Sequence, residues 1–187
     1  MKTKNRLSFA LFVTCLSIIT ACAVRDYYVK PGIDFSRFRR AAVLPLTPPP
    51  EVGKDQTGGL SEGISDIIGT QLLKRGWDVV ERARIKSIFE ERSLELTQVP
   101  IGKNLVEIQN ILNVDCFVTG AITEWRSPVK GRVRGAVGLT VKIYNARTGE
   151  LVWSGSGSKN ISSTFGASLS KHAQEIIKRL SEDIPSR

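Results

Sequence analysis

Few side chains in this chain could do chemistry beyond charge and packing. There are three cysteines and one histidine in 187 residues. His172 stands between Lys171 and Ala173 in a stretch of helical period; a solvated helix histidine is the ordinary assignment there and a general base the sharper one. A serine nucleophile would have to use that histidine, and no Gly-x-Ser-x-Gly elbow is present. Zinc needs a cluster of histidine and cysteine ligands, which one histidine cannot seed. Gly53-Lys54 lacks the glycine spacing of a phosphate loop. Gly155-Ser156-Gly157-Ser158 leads to Asn160-Ile161-Ser162, not directly into a helix, and reads as a flexible strand end. Glu90-Glu91 reads as a solvated helix face. Cys116, in the apolar stretch Cys116-Phe117-Val118, reads as a buried, inert thiol. The expectation is a protein that is not an enzyme and holds no metal or cofactor.

Cys22 is different, because of what precedes it. Lys2, Lys4 and Arg6 form a positive segment, Leu7 to Ile19 is an apolar run, and small residues follow, in the order of a secretory signal. The run is shorter than the ~20 residues a spanning helix needs. Ile19-Thr20-Ala21-Cys22 resembles the bacterial lipobox. The resemblance implies diacylglycerol on the Cys22 thiol, cleavage just before it and acylation of the new amine. One acyl chain holds marginally, at ~0.8 kcal/mol per buried methylene, whereas several on one residue anchor stably. Ala23 follows; an aspartate there would resemble an inner-membrane retention signal, so the resemblance implies the outer membrane of a Gram-negative cell. Residues 1–21 are then the signal peptide, and 22–38 the lipidated N-terminus and tether of a domain over 39–187.

Loss of Lys2, Lys4 and Arg6 lowers the formal charge from +9 to +6. A basic surface suits anionic partners such as phospholipid headgroups or acidic polymers, and the export signal argues against nucleic acid. Arg126, Lys130, Arg132 and Arg134 share a loop without an acid. That loop is either a contact for an anionic polymer or lipid surface, or a solvated hairpin tip. With Cys15 gone and Cys22 modified, Cys116 has no disulfide partner.

Val24 to Arg40 shows no clear period; its aromatics, Tyr27, Tyr28, Phe35 and Phe38, could pack on the domain or on a neighbouring subunit. Ala41 to Leu46 predicts a buried strand stopped by Pro48-Pro49-Pro50. Leu60 to Arg75 is helical by period, through Leu60, Ile64, Ile67, Ile68, Leu72 and Leu73, with Gly76 as its stop. Trp77 to Val80 predicts a strand. Ile85, Ile88 and Phe89 predict a second helix, and Leu105, Ile108, Ile111 and Leu112 a third, ending near Asn113. Strands follow at Cys116 to Trp125 and around Val137 to Tyr144, the latter alternating apolar and polar. A turn over Asn145 to Glu150 and a return strand Leu151 to Ser156 come next, then a helix from about Ala167 to Glu182. The order β-α-β-α-α-β-β-β-α predicts one α/β domain, a mixed sheet of about five strands with helices packed on it.

Several of these segments carry a further pattern. They are Arg39-Arg40-Ala41-Ala42-Val43-Leu44-Pro45-Leu46, Gly59-Leu60-Ser61-Glu62-Gly63, Gly76-Trp77-Asp78-Val79-Val80-Glu81-Arg82, Asp115 to Ile122 and Val141 to Ser154. Together they resemble the superfamily of the curli secretion lipoprotein CsgG, with the Pel polysaccharide lipoprotein PelC and the penicillin-binding-protein activator LpoB. The resemblance implies an α/β domain on the periplasmic side of the outer membrane. In CsgG itself added hairpins build a membrane barrel. A spanning hairpin needs two strands of ~9–11 residues with alternate apolar positions, and Ser127 to Gly135 is too short and basic for that. The expected function is a non-enzymatic outer-membrane lipoprotein serving as an assembly or export component, as a homo-oligomer or with export machinery. The alternative is a regulatory lipoprotein that activates a periplasmic cell-wall synthesis enzyme.

Overall fold

The computed structural model describes residues 24–128, 134–161 and 168–185. Its strands are β1 (Val24–Val29), β2 (Arg40–Val43), β3 (Asp78–Val79), β4 (Cys116–Arg126), β5 (Gly135–Asn145) and β6 (Leu151–Ile161). Its helices are α1 (Lys54–Lys74), α2 (Arg82–Glu91), α3 (Gly102–Leu112) and α4 (Leu169–Glu182), with a 3₁₀ turn at Phe35–Arg37. All six strands form one mixed sheet in the order β1-β6-β5-β4-β2-β3. β2 runs parallel to β3 and β4, and the other pairs are antiparallel. The α/β class and the element order expected from the sequence hold, with one strand more than the five expected.

The extra strand is β1, in the segment read as a tether. It pairs with β6 over six residues, from Val24 opposite Ser158 to Val29 opposite Trp153. Beyond it, Phe35 and Phe38 are buried and meet edge to face at 5.5 Å, while Tyr27 and Tyr28 stay exposed. Charged and exposed residues interrupt any period here, so an edge strand paired on one side left no alternation to read.

Helices cover both faces of the sheet where it is parallel. α1 and α4 bury Ile64, Ile68, Leu72, Ala173, Ile176, Ile177 and Leu180 with Val43, Val118, Val141 and Trp153. On the other face α2 and α3 bury Ile85, Phe89, Leu105, Ile108 and Leu112 with Ala42, Leu44 and Phe117. Leu73, expected in the stripe of α1, is exposed. Gly76 has φ +79°, and its neighbour Trp77 donates its backbone N–H to Leu72 O at 3.0 Å, which closes α1 as the glycine stop predicts.

Three boundaries differ from expectation. α1 starts at Lys54, because Lys54 to Gly59 carries no apolar residue to reveal a period. β2 ends at Val43 because Pro45 has no N–H for the ladder. The chain still follows β4: Leu44 N donates to Val118 O at 2.8 Å and Thr47 N to Gly120 O at 3.0 Å. Finally, Gly155-Ser156-Gly157-Ser158 is no flexible end but the middle of β6, which runs on to Ile161 between β1 and β5.

Candidate functional site

Two surfaces offer themselves, one at an end of the sheet and one on a face. At the end, β4 and β5 close into a hairpin in which Arg126 pairs with Ala136. Gly135 is needed there: a Cβ on it would lie 2.8 Å from Arg126 O and 2.7 Å from Pro128 Cδ. Arg126 and Arg134 are exposed. Arg126 reaches back to Glu124 at 3.2 Å, so part of its charge is already matched. Lys130 and Arg132 lie outside the described residues, as does Cys22. The register nevertheless relates these features. Val24, two residues beyond Cys22, is opposite Ser158, Ser158 is opposite Gly138, and Gly138 is opposite Glu124. β1 therefore begins at the end of the sheet that carries the basic hairpin.

The face is the side of the antiparallel half that α4 does not cover. The register aligns Thr119 and Ala121 of β4 with Lys142 and Thr140 of β5, then with Ser154 and Ser156 of β6, and with Tyr28 and Asp26 of β1. No described helix packs on this hydroxyl-rich surface. Where it meets the α2–α3 connection, a cleft of about 670 Å³ opens. Its floor is Gly120, Ala121, Thr140, Lys142 and Tyr144, and Thr97 to Gly102 form a wall. Thr119 Oγ1 donates to Thr97 O at 3.3 Å and holds that wall to β4. Glycine is required at position 120, since a Cβ there would lie 1.9 Å from Thr140 O. The polar half of the β5 alternation signalled this face; in β6 the glycine-serine run hid it.

The other sequence candidates do not converge. Among the described residues no His/Cys/Asp/Glu group could hold a metal ion. Cys116 is fully buried, and burial, with Asp115 adding to it, pushes its thiol pKa far up, so no thiolate forms. His172 is half-buried instead of solvated, with its side chain 16% exposed and Nδ1 3.6 Å from Glu175 Oε2. Lys159 donates to the same carboxylate oxygen at 2.6 Å. Among the described residues no hydrogen bond places a nucleophile on His172. Glu90 and Glu91 are exposed on α2, and Lys86 pairs with Glu90 at 3.8 Å. No described helix is long and apolar enough to cross a membrane.

The sequence model of the curli production assembly/transport component CsgG family matches residues 46–177. Among solved structures, the chain is similar to the PelC dodecamer from Paraburkholderia phytofirmans, at 17% identity and TM-score 0.60, over 89% of this chain and 99% of that one. It is also similar to lipoprotein GNA1162 from Neisseria meningitidis, at 19% identity and TM-score 0.55, over 78% and 99%. These two likenesses show the fold. No curated protein matches the chain by sequence.

Proposed function

The chain belongs to the family of the curli production assembly/transport component CsgG, and from that membership we propose a non-enzymatic lipoprotein that serves as a structural part of an export or assembly apparatus. Lipid on Cys22 holds it at the outer membrane, facing the periplasm, and copies of it assemble with one another. The observation that carries this reading is the position of β1. It starts two residues after Cys22 and is locked to β6, so the anchor is not on a long leash. A two-residue link spans at most ~7 Å. The acyl chains therefore sit beside the sheet end that holds Arg126 and Arg134, and that end turns towards the bilayer. Basic residues near an anionic headgroup layer add about 1 kcal/mol each. The mechanism is positional: a fixed, oriented body on which other components dock. PelC of Paraburkholderia phytofirmans forms a dodecamer, which supports self-assembly of a chain with the same fold.

Full-length protein and the Cys22→Ser variant would be compared by membrane fractionation and by mass spectrometry of the N-terminal peptide. The reading expects a triacylated Cys22 in the outer-membrane fraction, and an unprocessed or soluble Cys22→Ser protein. Unchanged fractionation of Cys22→Ser would overturn it. Light scattering in detergent expects a species several times the monomer mass, and a strict monomer would remove the assembly. Recovery of a peptidoglycan synthase from membranes, in place of export components, would replace the export role with enzyme activation.

A further inference from the structure

The cleft over β4 and β5 lies away from Arg126 and Arg134, and its chemistry is specific. We propose that it binds a carboxylate-bearing sugar of the uronate class, with the carboxylate on Lys142. Lys142 is the one charged side chain among the described residues that line the cleft. It forms no ion pair with any described residue. The acids nearest the cleft in sequence are already engaged. Glu95 accepts hydrogen bonds from Thr97 Oγ1 at 2.9 Å and Gln98 Nε2 at 2.7 Å. Glu150 pairs with Lys30 at 2.8 Å and accepts from Thr148 Oγ1 at 3.3 Å. A half-buried lysine that makes no ion pair with a described residue favours an incoming carboxylate, through a charge-assisted hydrogen bond.

The rest of the ligand follows from the neighbours of Lys142. Thr140 and Tyr144 flank it at alternate positions of β5, and all three line the cleft. None of the three makes a side-chain hydrogen bond within the described protein. Alternate strand residues are about 6.7 Å apart, so these groups offer hydroxyl, ammonium and hydroxyl over about 13 Å, a span that a disaccharide covers. The Tyr144 ring and the 82% exposed Ile101 at the mouth supply apolar surface for the C–H faces of sugar rings. The volume lies within the range of small-ligand sites. A peptide would add to a free strand edge, but β4 and β5 are interior strands. A fatty acid needs an apolar floor, and this one carries the Thr140 hydroxyl and Lys142.

Full-length protein in detergent micelles would be titrated calorimetrically with galacturonic acid, with trigalacturonate and with neutral galactotriose. Saturable binding of the uronates and none of the neutral sugar is expected. Equal affinity for acid and trimer would assign a free sugar acid, and tighter binding of the trimer a polymer. Lys142→Gln should weaken binding at least about tenfold, and Lys86→Gln on α2 should leave it unchanged. Ile101→Glu, at an exposed position that does not test folding, should also weaken it. The proposal is overturned if no uronate binds, if neutral sugar binds equally, or if Lys142→Gln binds as the parent does.

Discussion

The indole of Trp153 fills the space that a side chain at Gly155 would need: a Cβ there would lie 2.4 Å from Trp153 Cη2 and 2.7 Å from Cζ2. The same indole donates its N–H to the Asp183 carbonyl at 3.3 Å, just past the end of α4. A glycine in a strand usually weakens it; here it lets the fully buried indole of Trp153 lie back along β6 towards α4. Gly155→Ala should cost about 1–3 kcal/mol by overpacking. Trp153→Phe should cost less than Trp153→Ala, for which about 3–5 kcal/mol is expected. Urea unfolding monitored by far-ultraviolet circular dichroism ranks the three; a Gly155→Ala midpoint equal to the parent's would refute the packing argument.

Asp115 joins three strands at one point. Its Oδ2 accepts the backbone N–H groups of Arg39 and Arg40, each at 2.9 Å, its own N–H donates to Arg40 O, and its carbonyl accepts from Ala146 N–H. The site is exposed, so water replaces part of what a substitution removes. Asp115→Ala should cost about 1 kcal/mol, with Asp115→Asn intermediate because its amide oxygen still accepts. Thermal unfolding should show a drop of about 2–4 °C per kcal/mol. A variant as stable as the parent would mean the two N–H groups are satisfied by solvent alone.

Acid should loosen the packing of α4 on β6. The hydrogen bond from Lys159 holds the Glu175 carboxyl below its ordinary value of 4.5, with the positive charge of Lys159 and contact with His172 adding to the effect. A carboxylate with a depressed folded pKa stabilises fully above its unfolded value and loses that contribution as pH falls through the folded one. Glu175→Gln should therefore be less stable than the parent at pH 7, and the gap should shrink as pH falls from 4.5 through the lower folded value. The carboxylate is 40% exposed, so solvent screening keeps the gap small. A gap that persisted unchanged at pH 2.5 would assign it to packing.

Where the sequence was readable, a burial pattern made it so. The stripes of α2, α3 and α4 and the alternation in β5 each repeat at the period of their element, and the structure buries Ile85, Phe89, Leu105, Ile108, Ile176 and Ile177 accordingly. Two of the five segments that carry the family resemblance, Arg39 to Leu46 and Asp115 to Ile122, lie side by side along the parallel pair of β2 and β4. β1 was not legible, because an edge strand with Arg25, Asp26, Tyr27 and Tyr28 exposed has no buried side to alternate with. The cleft was not legible either. It joins Thr97 to Gly102, a loop by composition, to Lys142 some forty residues later, and only the pairing of β4 with β5 brings the two together.

The thiol count tests both the core and the anchor. Cys116 is the first residue of β4, opposite Ala41 on β2 and Asn145 on β5, and none of its surface is accessible. Burial, reinforced by the Asp115 carboxylate next to it, suppresses the thiolate that would attack a disulfide reagent. Native full-length protein should therefore resist Ellman's reagent for as long as it stays folded. In guanidinium the processed, lipidated chain should react at one site only, because Cys15 has left with the leader and the sulfur of Cys22 is in a thioether. Two reactive thiols would mean that either cleavage or lipidation has failed, and three that both have. Rapid labelling without denaturant, traced to Cys116, would mean that β4 opens locally, contrary to its place in the middle of the sheet.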